Sequence, residues 1–328
     1  MPDTQEILFI KTSSLGDVIH HMPALTEARA HLPHARFSWV VEEAFVPLAR
    51  LHPAVDDVIP VASRRWRKQL LAPPTLSEMR TFARELRAKR YDRIIDTQGL
   101  ARTGLIAKTA RGERHGYDRD SIREPVASRF YDVLHRVPRD IHAIARNRAL
   151  TGLALGYEPQ GEPDYGLDRA ALAGVPSQPY ALLLHATAEA RKEWPEESWV
   201  ALARVFEDRV KVLLPFGTGA ERERAERIAA QLKHAQVPIR RELDDMARMI
   251  AGASFVVGVD TGLLHLAAAL GVPLIGIFVG SERALTGPIG SGPIAIVGAR
   301  GAPPSVAEAV AAVEKIAPAA AIRQPAEG

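Results

Sequence analysis

The sequence predicts an α/β protein made of two Rossmann-like, doubly wound halves. Three observations carry this. Short apolar runs of strand length alternate with helix-period stretches from the N-terminus onward. That rhythm stops over 156–179, where Gly156, Pro159, Gly161, Pro163, Gly166, Gly174, Pro176 and Pro179 crowd together, and then restarts. At 328 residues the chain exceeds one typical core. The expected organisation is a first domain over 1–156, a linker over 157–179 and a second domain over 180–328, with a ligand cleft between the halves.

In the first half, Ile7-Leu8-Phe9-Ile10 has no polar face, as a parallel strand covered on both sides requires. A helix is expected over 16–31, strands over 37–41 and 58–61, an amphipathic helix over 76–89, a strand over 93–96 and a helix over 101–110. In the second half, strands are expected over 181–185, 210–214, 254–258 and 274–278. Helices are expected over 197–207, 221–232, 243–252 and 305–316, with a further alanine- and leucine-rich helix that closes at Gly271-Val272-Pro273.

Composition bounds the function. Hydrophobic content of 47% and charged content of 25% are globular values. The absence of cysteine excludes disulfides and thiolate metal sites and fits a reducing compartment. The N-terminus has neither a basic region nor a long apolar one, so no signal peptide is expected. The best apolar stretch, 251–279, contains Asp260 and His265 and breaks at Gly271 and Pro273, which argues against a membrane span. A net charge of +3 gives no argument for a nucleic-acid partner. Neither GxGxxG nor GxxxxGK[ST] occurs, so no dinucleotide cofactor or P-loop is indicated.

The strongest local signal is Val259-Asp260-Thr261-Gly262-Leu263-Leu264-His265-Leu266. A strand that hands over to a helix through Asp-Thr-Gly leaves backbone N–H groups pointing out of the helix start, and the macrodipole adds positive charge there. A phosphate or diphosphate suits that position. Asp260 or Thr261 can cap, Gly262 permits close approach, and His265 lies one turn in. The plain alternative is an ordinary capped helix with a buried histidine.

Other segments carry weaker signals. The loop Lys11-Thr12-Ser13-Ser14-Leu15-Gly16-Asp17 follows the first strand, where Asp17 is either a general base or a helix-start carboxylate. His20 and His21 follow Asp17 at three and four residues and invite a metal reading, but no third ligand is evident. Lys192, in the loop after the first strand of the second half, reads as a mobile point charge suited to a phosphate oxygen. Trp194-Pro195-Glu196-Glu197-Ser198-Trp199 reads as a helix start whose tryptophans pack. Arg64-Arg65-Trp66-Arg67-Lys68 is the densest basic cluster, either a solvated face or a site for phosphate or carboxylate oxygens. Asp118-Arg119-Asp120 follows no clear strand and reads as a surface turn.

Taken together, these segments resemble the heptosyltransferases of lipopolysaccharide inner-core synthesis over almost the full length. The markers are 11–20, Trp39-Val40-Val41-Glu42-Glu43, 64–68, Asp96-Thr97-Gln98-Gly99-Leu100, Arg123-Glu124-Pro125, His185-Ala186-Thr187, Lys192 with 194–197, and 259–266. The first loop and the basic cluster are similar to the type I branch rather than type II.

The resemblance implies a GT-B fold and inverting transfer of L-glycero-D-manno-heptose from ADP-heptose to the inner Kdo of Kdo2-lipid A. It implies no cofactor and no required metal. It places the enzyme peripherally on the cytoplasmic face of the inner membrane. It implies Asp17 as general base, Thr187 and Lys192 at the donor diphosphate, Glu221 at the ribose, and Asp260, Thr261, Gly262 and His265 along the donor site. Thr12, Ser13 and Gly16 belong to the loop beside the cleft, and Arg64, Arg67, Lys68 and Arg123 to the acceptor side. The loop Gly280-Ser281-Glu282-Arg283-Ala284 departs from the family's usual Gly-Pro-Thr-Asp-Pro, so its sugar contacts stay open. Two other classes compete: a GT-B-like nucleotide-sugar epimerase, which leaves 64–68 without a role, and a non-catalytic nucleotide-sugar binder, which leaves Asp17 without one. Another ADP-sugar transferase of the same fold, including the type II branch, is the remaining alternative.

Overall fold

The computed structural model describes residues 4–174, 178–187, 189–280 and 283–318. The chain divides into two compact units between Gly166 and Leu167.

The first unit is built on a six-stranded sheet: β1 (Glu6–Ile10), β2 (Arg36–Glu42), β3 (Asp57–Val61), β4 (Arg90–Asp96), β5 (Arg111–Tyr117) and β6 (Val133–His135). The order is β3-β2-β1-β4-β5-β6 and every pairing is parallel, with Ile7 opposite Phe37 on one side and Arg93 on the other. Ile7, Leu8, Phe9 and Ile10 are buried, which is why β1 reads as an unbroken apolar run.

The second unit repeats the plan with β7 (Tyr180–Leu184), β8 (Lys211–Leu213), β9 (Ala235–Gln236), β10 (Phe255–Val259), β11 (Leu274–Ile277) and β12 (Ile294–Val297), in the order β12-β11-β10-β7-β8-β9. These pairings are also all parallel. Trp194 and Trp199 pack edge to face at 5.3 Å in its core, as the Trp-Pro-Glu-Glu-Ser-Trp segment suggests. Two such units in one chain are the composition of the GT-B fold. In each, strand order reverses between the first and fourth strands, so the loops after those strands flank a crevice at the carboxyl edge.

Several elements escape the sequence pattern. β6 and β9 have three and two residues, too short to show a period. β5 reads Arg-Gly-Glu-Arg-His-Gly-Tyr, polar throughout its first half. Its Gly116 is required by packing: a Cβ there would lie 2.2 Å from the ring of Tyr131. β5 also corrects one expectation, since Asp118-Arg119-Asp120 does follow a strand. The segment is still a turn, in which Asp118 Oδ1 accepts from the Ser121 N–H at 2.8 Å. The helix Ala143–Leu155 shows no clear helical period in the sequence, because buried Asn147 and Thr151 interrupt its apolar stripe.

The stretch expected to be a linker is anchored at both ends. Arg148 bonds both oxygens of Glu27 at 3.0 Å and the carbonyls of Gln160 and Gly161 at 2.6 and 3.0 Å, all within the first unit. Arg169 donates to the carbonyls of Ala251, Ala253 and Gly271 at 2.9, 3.1 and 3.2 Å, all within the second. A short helix, Arg169–Leu172, lies in this stretch, and 175–177 are outside the described residues. Among the described residues no helix is long and apolar enough to cross a membrane.

Candidate functional site

The second unit gathers its predicted residues at the switch point between β7 and β10. Lys192 ends the loop after β7 and Asp260 begins the loop after β10. Lys192 Nζ donates to Asp260 Oδ2 at 2.9 Å and pairs with Glu189 Oε1 at 3.1 Å. Both partners of the closer pair are well buried, at 16% and 11% side-chain exposure. Burial works against the ammonium charge, but the hydrogen bond and field of Asp260, then those of Glu189, raise the Lys192 pKa above the ordinary lysine value. The expectation of a mobile cation is therefore corrected: two carboxylates hold Lys192 in place. Thr187 Oγ1 donates to the Asp260 carbonyl at 3.3 Å, and His265 Nε2 lies 3.6 Å from Asp260 Oδ1. Thr187, Lys192, Asp260 and His265 thus form one contiguous group.

That group stands at the start of the helix Gly262–Ala269. Thr261 occupies the N-cap with extended backbone but makes no side-chain capping bond, so the capping role foreseen for it is not taken up. Gly262 is the first helical residue. The loop after β11 closes against the same group: Arg191 Nη1 donates to the Gly280 carbonyl at 2.9 Å, and a Cβ on Gly280 would lie 2.8 Å from the Arg191 carbonyl oxygen. Ser281 and Glu282 of the divergent loop are outside the described residues.

Glu221 is not part of this group. It follows β8 and sits in the first turn of the helix Gly219–Ala229, where its Oε2 accepts from the N–H groups of Gly217 at 2.7 Å and Thr218 at 3.4 Å. That is a capping box, and the Glu three residues after Thr218 is its sequence mark.

The first unit builds a second group at the switch point between β1 and β4. The loop after β1 is fixed by Gln98, whose Oε1 accepts from the N–H groups of Thr12 and Ser13, each at 3.1 Å. Beneath it, buried Lys11 donates to the Thr97 carbonyl at 2.9 Å and to Asn147 Oδ1 at 3.3 Å. Burial lowers the Lys11 pKa, while the carboxylates of Asp17 and Asp96 oppose that shift. Asp96, fully buried at the end of β4, accepts from the Gln98 and Gly99 N–H groups and from the Tyr131 hydroxyl at 2.7 Å; burial raises its pKa.

Gly16 and Asp17 lie half-buried in the first turn of the helix Leu15–His31. Asp17 Oδ2 accepts from the Ser14 N–H at 2.7 Å, so the helix-start role is realised in the structure. His21 is buried against Phe9 and Trp39 and lies 3.3 Å from Thr97 Oγ1; burial holds its pKa well below the usual histidine value. Among the described residues no three His, Asp or Glu side chains are placed to hold a metal ion.

The basic cluster is divided by its partners. Glu42, buried at the end of β2, accepts from Ser63 Oγ at 2.6 Å and the Arg64 N–H at 2.9 Å, which pins the short helix Ser63–Trp66. Arg65 is held by Glu43 and Glu78 at 3.0 and 2.8 Å, and Trp66 is buried. Arg64, Arg67 and Lys68 are exposed, as is Arg123 after β5. Among the described residues Arg67 and Lys68 make no side-chain ion pair. Lys11 and Gln98 belong to the marker segments 11–20 and 96–100 but show no role from sequence alone, whereas Asn147, Arg102 (2.8 Å from Ser13 Oγ) and Glu189 carry no sequence signal of their own.

The family model for glycosyltransferase family 9 (heptosyltransferase) matches residues 79–313. The chain is 48% identical over 288 residues to lipopolysaccharide heptosyltransferase 1 of Pseudomonas aeruginosa, covering 87% of this chain and 81% of that one. It is 43% identical over 289 residues to the Escherichia coli K12 enzyme of the same name, covering 87% and 91%. The solved structure of E. coli heptosyltransferase WaaC with ADP-2-deoxy-2-fluoro heptose matches with a TM-score of 0.85 at 39% identity, covering 95% of this chain and 98% of that one. The chain belongs to glycosyltransferase family 9, the heptosyltransferases.

Proposed function

We propose that this glycosyltransferase moves L-glycero-D-manno-heptose from ADP-heptose to the inner Kdo of Kdo2-lipid A, with inversion and without a metal, at the cytoplasmic face of the inner membrane. One observation carries the reading: a clamped lysine, Lys192, stands beside a helix start at the β7/β10 switch point. The relatives that are 42–48% identical are type 1 enzymes, whereas the type 2 enzymes match at 24%, and E. coli heptosyltransferase WaaC was solved with ADP-2-deoxy-2-fluoro heptose.

The chemistry follows from those groups. The acceptor hydroxyl attacks the anomeric carbon from the face opposite ADP, and the carbon–oxygen bond to the diphosphate breaks. The hydroxyl proton passes to Asp17, and the electron pair leaves on the diphosphate oxygen. Growing charge there is met by Lys192 and the N–H groups at Gly262, fixed donors worth roughly 3 kcal/mol each. Thr187 joins Lys192 at the diphosphate, Asp260, Thr261 and His265 shape the donor site, and Glu221 reaches the ribose. Thr12, Ser13 and Gly16 place the loop that carries Asp17. Arg64, Arg67, Lys68 and Arg123 take the carboxylates and phosphates of the acceptor.

Turnover of ADP-heptose with and without Kdo2-lipid A tests this. Heptosylated acceptor with inverted anomeric configuration, formed equally in EDTA, is the expected product. ADP-heptose consumption without acceptor points to the epimerase class, and binding without consumption to the non-catalytic one.

A further inference from the structure

The first unit contains an apolar cavity that the chemistry above does not use. Its volume is about 400 Å³. It lies between the segment after β3, the helix Pro73–Arg87 and the helix Ala101–Thr109, and its apolar lining includes Val61, Trp66, Leu70, Met79, Phe82 and Leu105. Leu70, Met79 and Leu105 are large apolar side chains left 52%, 37% and 54% exposed, and Leu71 beside them is 88% exposed. Converging exposed hydrophobes on one face mark a contact site more often than chance.

The charge beside this cavity selects among apolar guests. Arg67 and Arg102 line it, and among the described residues neither has a carboxylate partner. Arg64 and Lys68 are exposed in the same segment, while the nearby carboxylates Glu43 and Glu78 are spent on Arg65. Arg102 also bonds Ser13 Oγ, so the cavity wall is joined directly to the loop that precedes Asp17. A neutral hydrocarbon leaves both guanidiniums without a counter-ion. An anionic amphiphile answers both halves of the site, its chain on the leucines and its head group on the arginine forks.

We propose that this cavity seats one acyl chain of an anionic lipid, the acceptor's own, with the head group held by Arg67 and Arg102. The proposal rests on the acceptor reading given above and deepens it: the acceptor is gripped by its hydrocarbon as well as by its charges.

Calorimetric titration with dodecyl phosphate, dodecyl maltoside and inorganic phosphate, each below micelle formation, tests it on the full chain. Dodecyl phosphate is expected to bind, dodecyl maltoside about tenfold or more weakly, and inorganic phosphate more weakly still. Ala83→Phe, which narrows the cavity from a partly exposed wall position, excludes about two methylene groups. It is expected to weaken dodecyl phosphate about tenfold. Met79→Glu places a like charge in the cavity and gives a second variant at an exposed position. Equal binding of both dodecyl compounds, or unchanged dodecyl phosphate affinity in both variants, overturns the proposal. Heptosyl transfer to a fully deacylated acceptor should persist in Ala83→Phe. Absence of transfer by the unaltered protein to any acceptor sinks the functional reading instead, and leaves the amphiphile result standing.

Discussion

Removing Lys192 should cost more than a cation, because of what it leaves behind. Lys192 Nζ lies 2.9 Å from Asp260, whose side chain is only 11% exposed. In Lys192→Ala that carboxylate keeps His265 at 3.6 Å but faces the proposed diphosphate without the ammonium. A unit charge 4 Å from a phosphate oxygen at the effective dielectric of such sites is worth about 4 kcal/mol. Loss of one fixed donor at a developing anion costs roughly 3 kcal/mol. The lost donor alone lowers kcat/KM for ADP-heptose about 10²-fold, and full repulsion from Asp260 added to it extends the fall toward about 10⁵-fold. If part of it is repulsion from Asp260, then Lys192→Ala/Asp260→Asn should recover about tenfold over the single variant, an interaction of the size contacting residues show. The assay is steady-state kinetics with each substrate varied separately, alongside ADP affinity by calorimetry. Strictly additive losses, or a change confined to the acceptor KM, would refute the argument.

The structural role of Asp17 can be separated from the catalytic role proposed for it. Asp17→Asn keeps an acceptor for the Ser14 N–H while removing the base, so thermal stability should hold while kcat falls about 10²–10⁴-fold; kcat near the original value returns Asp17 to a purely structural role. Arg64→Ala with Arg67→Ala should raise the acceptor KM with little change in donor affinity, most at low ionic strength where exposed charge is less screened; unchanged acceptor kinetics return the cluster to a solvated face. Activity should be indifferent to EDTA, and loss restored by Mg²⁺ or Mn²⁺ contradicts the metal-free reading. Burial lowers the pKa of His52 and of His185 to about 4. The unfolded chain takes these protons near pH 6.5, the folded chain near 4, so stability falls as pH drops through that window, by up to about 3 kcal/mol per histidine. Urea midpoints against pH should flatten in His52→Asn; a slope equal to that of the unaltered chain excludes His52 as a source.

How legible each part was depended on whether its cause is local. β1 and β10 were readable because a strand covered on both faces must be apolar at every position. β5 was not, because its Gly116 answers to the ring of Tyr131, fifteen positions later in a different segment. The Asp-Thr-Gly-x-x-His unit marked the strand-to-helix turn after β10, yet the clamp on Lys192 depends on a carboxylate 68 residues away. Likewise, no local pattern distinguishes Arg65 from its neighbours in 64–68. Its partners Glu43 and Glu78 arrive from β2's end and from the next helix. Asp17 could be placed at a helix start from sequence, but its bond to Ser14 and its proximity to buried Lys11 belong to the folded unit.

The strand order has a kinetic consequence. β7 comes first in its half, but its partner β10 begins at Phe255, with β8, β9 and three connections between them. The crevice that holds Lys192 against Asp260 therefore closes only when a pairing of long sequence separation is made, and such pairings slow folding. Any state in which β10 has not yet docked on β7 lacks the Lys192–Asp260 pair altogether. ADP added during refolding should thus leave the early phases unaltered and slow only the unfolding of the finished second unit, because a ligand stabilises what it binds and nothing that precedes it.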